Sequence, residues 1–131
     1  MMTRAENFIQ LHSWAVVGAS KNQEKYGYKI TVRLMEAGKE VFPVNPGPGQ
    51  INGVAFFPDL GSLPKLPDIV DLVVPPAIAL NVVDECARVG IKRIWFQPGT
   101  RSAAALNRCL ELGIEAVDES CVLVELNKLG L

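Results

Sequence analysis

One unit recurs along this chain and restricts its fold more than any other feature: a helix end, a glycine, then a short apolar strand. Ala87-Arg88-Val89-Gly90 leads into Ile91 to Phe96, and Glu111-Leu112-Gly113 leads into Ile114 to Val117. Earlier, Ser13-Trp14-Ala15-Val16-Val17-Gly18 is a continuous apolar run ending in glycine, the pattern of a central strand buried on both faces. Gly27, Ile30, Thr31, Leu34 and Gly38 then fall at helical spacing, and Gly38 supplies a left-handed stop before Glu40-Val41-Phe42-Pro43-Val44. Strands that alternate with helices pair in parallel, with the helices covering both faces. The spacing therefore predicts an α/β fold, a Rossmann-like three-layer α/β/α arrangement around a five-stranded parallel sheet. Ile69 to Val74 is the third strand, and helices are predicted over 77–89, 101–112 and 120–128. Between the second and third strands, Pro46-Gly47-Pro48-Gly49 and the prolines at 58, 64 and 67 leave room only for a short helical turn near Asp59 to Leu63.

A length of 131 residues fits one domain over 1–131, large enough to bury a core without disulfides or metals. Thirteen Lys and Arg against fourteen Asp and Glu leave a formal net charge of −1 and no basic run, which disfavours nucleic acid as a partner. No apolar stretch reaches the roughly 18 to 20 residues that span a bilayer, and Met1 to Gln10 has no signal-peptide core. A cytoplasmic location with no membrane partner is expected. Cys86, Cys109 and Cys121 are odd in number and lack metal-site spacing, so a reducing compartment is expected and no metal site is suggested.

Ligands of open parallel sheets bind beyond the carboxyl ends of the strands, where loops and helix N-termini converge. Here those ends are Gly18-Ala19-Ser20, Asn45-Pro46, Val74-Pro75-Pro76, Gln97-Pro98-Gly99 and Asp118-Glu119-Ser120-Cys121. Four of the nine prolines sit there; each can simply mark a strand-to-helix turn, but as a set they favour a rim held open for a ligand. Gly18-Ala19-Ser20-Lys21 leads from a strand onto a helix, where a turn of small residues lets backbone N–H groups approach phosphate oxygens. Ser20 adds a hydroxyl, and Lys21 and Lys25 add charge. A dinucleotide fingerprint would need glycine at 20 and 23, where the chain has Ser20 and Gln23. The acid that usually holds the ribose hydroxyls of NAD is replaced by Asn45-Pro46. An adenine nucleotide carrying additional phosphates fits this rim better.

Taken together, Val17-Gly18-Ala19-Ser20 with Lys25-Tyr26-Gly27, Val44-Asn45-Pro46, Asp68 to Val74 with Pro75-Pro76, and Trp95-Phe96-Gln97-Pro98-Gly99 give the chain its likeness to a known family. It resembles the small stand-alone CoA-binding proteins, similar to the CoA-binding domain of the succinyl-CoA synthetase α subunit and of ADP-forming acyl-CoA synthetases. The resemblance implies coenzyme A, or an acyl-CoA, lying across the rim. It implies phosphates near Ala19, Ser20, Lys21 and Lys25, with Tyr26 and Gly27 in the same motif. Adenine would lie near Val44, Asn45 and Pro46, and pantetheine would pass Val74, Pro75, Pro76, Gln97, Pro98 and Gly99 towards Cys121. Many relatives have a basic residue before the last cysteine, where this chain has Asp118-Glu119-Ser120.

Synthetases of that type pass phosphate through a histidine. The one histidine, His12, precedes the first strand and so belongs at the opposite edge from the rim. With no hydrolase or metalloprotease motif either, binding without autonomous catalysis is expected. Cys121 begins a helix at the rim, where the dipole can lower a thiol pKa and permit exchange with the CoA thiol; the plainer reading is a side chain packed under that helix. Cys86, Cys109, Trp14, Trp95 and Phe96 read as core, and Phe56 and Phe57 as a cover for one side of the crevice. Two alternatives stand beside CoA binding: an NAD(P) or adenine-nucleotide sensor, and a regulatory subunit of an acyl-CoA synthetase or acyltransferase. Homodimer and partner-enzyme assembly are both open.

Overall fold

The computed structural model describes residues 1–131. Five strands, β1 (Ser13–Val17), β2 (Glu40–Val44), β5 (Ile69–Leu72), β6 (Arg93–Phe96) and β7 (Glu115–Val117), form a sheet in the order β2-β1-β5-β6-β7 with every pairing parallel. The intervening β3 (Gln50–Ile51) and β4 (Val54–Ala55) make a separate small hairpin. Just after it, Phe57 pairs in parallel with Val44 at the outer edge of β2. That single residue stands where a further outer strand of a longer Rossmann sheet would run.

Side chains alternate across the sheet and feed two cores. Trp14, Val16, Ile69 and Trp95 face α1 (Arg4–Ile9), α2 (Tyr26–Glu36) and α5 (Val122–Lys128), burying Phe8, Ile30, Leu34 and Leu126. Ala15, Val17, Val70, Leu72, Ile94 and Phe96 face α3 (Pro76–Val89) and α4 (Ala103–Leu112), burying Val83, Cys86, Ala105 and Cys109. This is the predicted three-layer arrangement. Gly90 and Gly113 end α3 and α4 in the left-handed conformation, as their places in the repeat require. Prediction and structure differ at element ends by a residue or two: the third strand stops at Leu72 and α5 starts at Val122.

Three features depart further from expectation. A helix precedes the first strand, held by a capping box in which Thr3 and Glu6 satisfy each other's backbone N–H groups. The proline-rich connection contains the β3–β4 hairpin, turned by Asn52 and Gly53, both at positive φ (48° and 86°). Phe56 and Phe57 do not cover the crevice: Phe56 packs on the α2 side of the sheet, and Phe57 meets Phe42 edge-on at 5.8 Å. Both follow the hairpin into the core because the edge of β2 offers apolar surface there.

Candidate functional site

The strand order places the reversal between β1 and β5, and two adjoining hollows open on that rim. The first, about 440 Å³, is formed by the loop from β1 into α2 (Gly18, Ala19, Ser20, Glu24, Lys25) together with Asn45. Gly18 is at φ +100°, and a Cβ built on it would fall 2.1 Å from the Val73 carbonyl oxygen. Only glycine lets β1 turn there while β5 passes so close. Gly27, in the first turn of α2, packs as tightly: a Cβ would lie 2.0 Å from the Gly18 carbonyl. It supplies the close helix-to-strand approach of a dinucleotide fingerprint at a longer spacing.

Around this hollow the backbone N–H groups of Ala19, Ser20, Lys21, Tyr26 and Gly27 donate to no group of the chain. They are the free donors that an anion at a helix entry requires. The loop holds itself in place: Ser20 Oγ accepts from Asn22 N at 3.1 Å, and Asn22 Oδ1 accepts from Glu24 N at 3.0 Å. Asn45 clamps it from the next strand, donating from Nδ2 to the Ala19 carbonyl and accepting from Gly47 N, both at 2.7 Å. Asn45 is thus committed to loop architecture. Val44 is buried in the α3–α4 core, Pro46 is exposed, and Lys21 and Lys25 project into solvent.

The second hollow, about 320 Å³, continues from the first through shared Tyr26 and Val73. Ile30 and Tyr26 of α2 form one wall, Leu123 and Val124 of α5 the other, with Cys121, Gln97 and Pro98 between them. Gln97 is 4% exposed, and its amide nitrogen donates to both carboxylate oxygens of Asp71, at 2.9 and 3.0 Å. Its oxygen accepts from Val122 N, at 3.4 Å, where α5 begins. Asp71 lies in β5 with no exposure, and burial pushes its carboxyl well above the ordinary Asp range, partly opposed by the Gln97 bond. Asp71 therefore orients Gln97, and Gln97 ties α5 to the sheet.

The structure brings together Gly18, Ala19, Ser20, Lys25, Tyr26, Gly27, Asn45, Gln97, Pro98 and Cys121 along one groove. It does not bring Val74 there, since the strand alternation turns Val74 to the α3 side and gives Val73 to the groove. Pro75 and Pro76 cap α3 and are exposed, and Gly99 sits in an exposed turn at φ +91°. Ile30, Val73, Leu123, Val124 and Asp71 were not foreseen at the site. Asp71 had a legible signal, a lone acid inside the apolar run Ile69 to Val74, which must find a partner when buried. His12 is exposed before β1, with its backbone bonded to Asp68 and Glu40, at the opposite edge from the groove. Cys86 and Cys109 are core thiols; burial raises both, Cys109 to about 11. Trp14 and Trp95 pack together at 6.1 Å, as expected of core residues.

A glycine-pinned turn at the reversal point of a parallel sheet covered by helices on both faces makes this a Rossmann-type α/β domain. Residues 12–127 match the model of the CoA-binding domain family, and the chain belongs to that family. It is 35% identical over 108 residues to acetate–CoA ligase [ADP-forming] II of Archaeoglobus fulgidus, covering 76% of this chain and 16% of that protein. A second such ligase, from Methanocaldococcus jannaschii, is 31% identical over 80 residues, covering 61% of this chain and 11% of that protein. The chain thus spans less than a fifth of these relatives. A conserved hypothetical protein of Pyrococcus furiosus superposes with a TM-score of 0.83 at 39% identity, covering 87% of this chain and 98% of that one. No helix is long and apolar enough to cross a membrane.

Proposed function

We propose that the chain binds coenzyme A along the groove, with phosphates in the cradle of Gly18, Ala19, Ser20, Lys21 and Lys25 and pantetheine running past Tyr26 and Val73 towards Gln97 and Cys121. The observation that carries this reading is the continuity of the two hollows: free backbone donors and Lys25 at one end, apolar walls at the other. A molecule with a polyphosphate head and a largely uncharged arm matches that sequence of surfaces. The cradle fits phosphate because Gly18 leaves no Cβ between the loop and β5, and because the loop that carries the unpaired donors is already held by its own hydrogen bonds, which lowers the ordering cost. Adenine would rest beside Asn45 and Pro46.

The chain supplies binding rather than bond-breaking. Gln97 and Asn45, polar side chains that line the groove, are committed to Asp71 or to backbone, and His12 lies across the molecule. A role beside a partner enzyme is supported by the ligases above, in which the matching segment is part of a larger protein. Titration calorimetry with CoA and with NADH tests the reading. CoA is expected to bind one per chain and NADH at least about tenfold more weakly, a difference of about 1.4 kcal/mol. Ser20→Glu places a negative charge in the cradle and is expected to abolish the CoA signal. Equal affinity for NADH would favour a general adenine-nucleotide sensor instead.

A further inference from the structure

The apolar end of the groove has a chemistry of its own. Six of its eight lining residues are hydrophobic, and no lysine or arginine is among them. Its one amide, Gln97, is bonded at both ends, to Asp71 and to Val122 N. Lys29 of the flanking helix holds its ammonium over the Tyr26 ring, 5.5 Å from its centre, and Lys25 lines the adjoining hollow where the phosphates would sit. In the turn leading from β7 to Cys121 the charged groups are Asp118 and Glu119, and Arg101 is already paired with Asp118 at 2.8 Å. A carboxylate entering this end would lose water and find no counter-charge among the residues that line it. The volume, about 320 Å³, is about ten times one water's share of the liquid. It suits the end of an extended arm carrying little or nothing beyond the sulfur.

From these features we infer that the site selects among CoA species by the charge of the group on sulfur: it accepts free CoA and short uncharged acyl thioesters and rejects thioesters that end in a carboxylate. This rests on the CoA reading above. The selectivity comes from the hollow between Tyr26 and Val124, not from the phosphate cradle, which meets the same head group in every case.

Thioesters of butyrate and succinate, equal in chain length and different in terminal charge, separate the two parts of the site. In calorimetry on the full chain, butyryl-CoA is expected within about threefold of CoA, and succinyl-CoA at least about tenfold weaker than butyryl-CoA. Val124 is 51% exposed, so Val124→Lys adds a cation at the mouth without opening the core. It is expected to bring succinyl-CoA to within about threefold of butyryl-CoA. If CoA binds and the parent chain takes both thioesters equally, the selectivity is refuted while the CoA reading survives. A tenfold preference that Val124→Lys leaves unmoved refutes the assignment to this hollow. Failure of CoA itself to bind overturns both.

Discussion

The two ends of the groove are built from different materials. The cradle is made of main chain: Gly18 turns it, Gly27 seats the helix against it, and its free donors are backbone N–H groups. The apolar end is made of side chains from α2, α5 and the ends of β5 and β6, held by a buried relay from Asp71 through Gln97 to α5. A main-chain site is fixed by the fold and tolerates change only where space and φ allow. A side-chain site can be retuned residue by residue. The cradle should thus fail all at once, and the apolar end by degrees.

Substitutions can break that comparison. Gly18→Val forces a Cβ into the Val73 carbonyl at a φ unsuited to branched residues, and is expected to cost about 3–5 kcal/mol, read by denaturant unfolding. Gln97→Ala orphans the Asp71 carboxyl and the Val122 N–H, at about 2–3 kcal/mol, and should loosen α5 in hydrogen exchange while the bonded amides of Gly18 and Val73 beside the cradle keep their protection. Asn45→Ala removes two bonds that hold the cradle, at about 1–2 kcal/mol, and should weaken CoA binding about tenfold. A cradle indifferent to Asn45→Ala, or an apolar end indifferent to Gln97→Ala, would dissolve the distinction.

The smallest expected effect is a pH slope. The folded Asp71 carboxyl keeps its proton above the range where the unfolded chain releases it. Its contribution is therefore fully present below about pH 3.8, the ordinary Asp value, and is lost as pH rises towards the raised folded value. Asp71→Asn cannot ionise, so the stability of the parent relative to this variant should fall as pH rises above about 3.8 towards the raised folded value. A difference that is flat or rises with pH would contradict the buried, proton-retaining carboxyl.

Much of this was legible in sequence because the signals were local. A helix, a glycine and an apolar run specify each βαβ unit, and Gly18-Ala19-Ser20 marks the cradle by position alone. The first helix had a readable signature in Thr3 and Glu6, and the hairpin in Asn52-Gly53, but surrounding prolines masked the latter. What local pattern could not give was side-chain direction past a strand end. The third strand stops at Leu72, and alternation then sends Val73 rather than Val74 to the groove. Leu123 and Val124 join it only because α5 packs beside α2, a tertiary fact.

Amide chemical-shift mapping during a CoA titration tests the central claim most directly. Shifts are expected along one path, from Gly18 to Gly27, then Val73, Gln97 and residues 121–124, with His12 and Gly38 at the opposite edge unmoved. Shifts confined to another face, or none at saturating CoA, would contradict it.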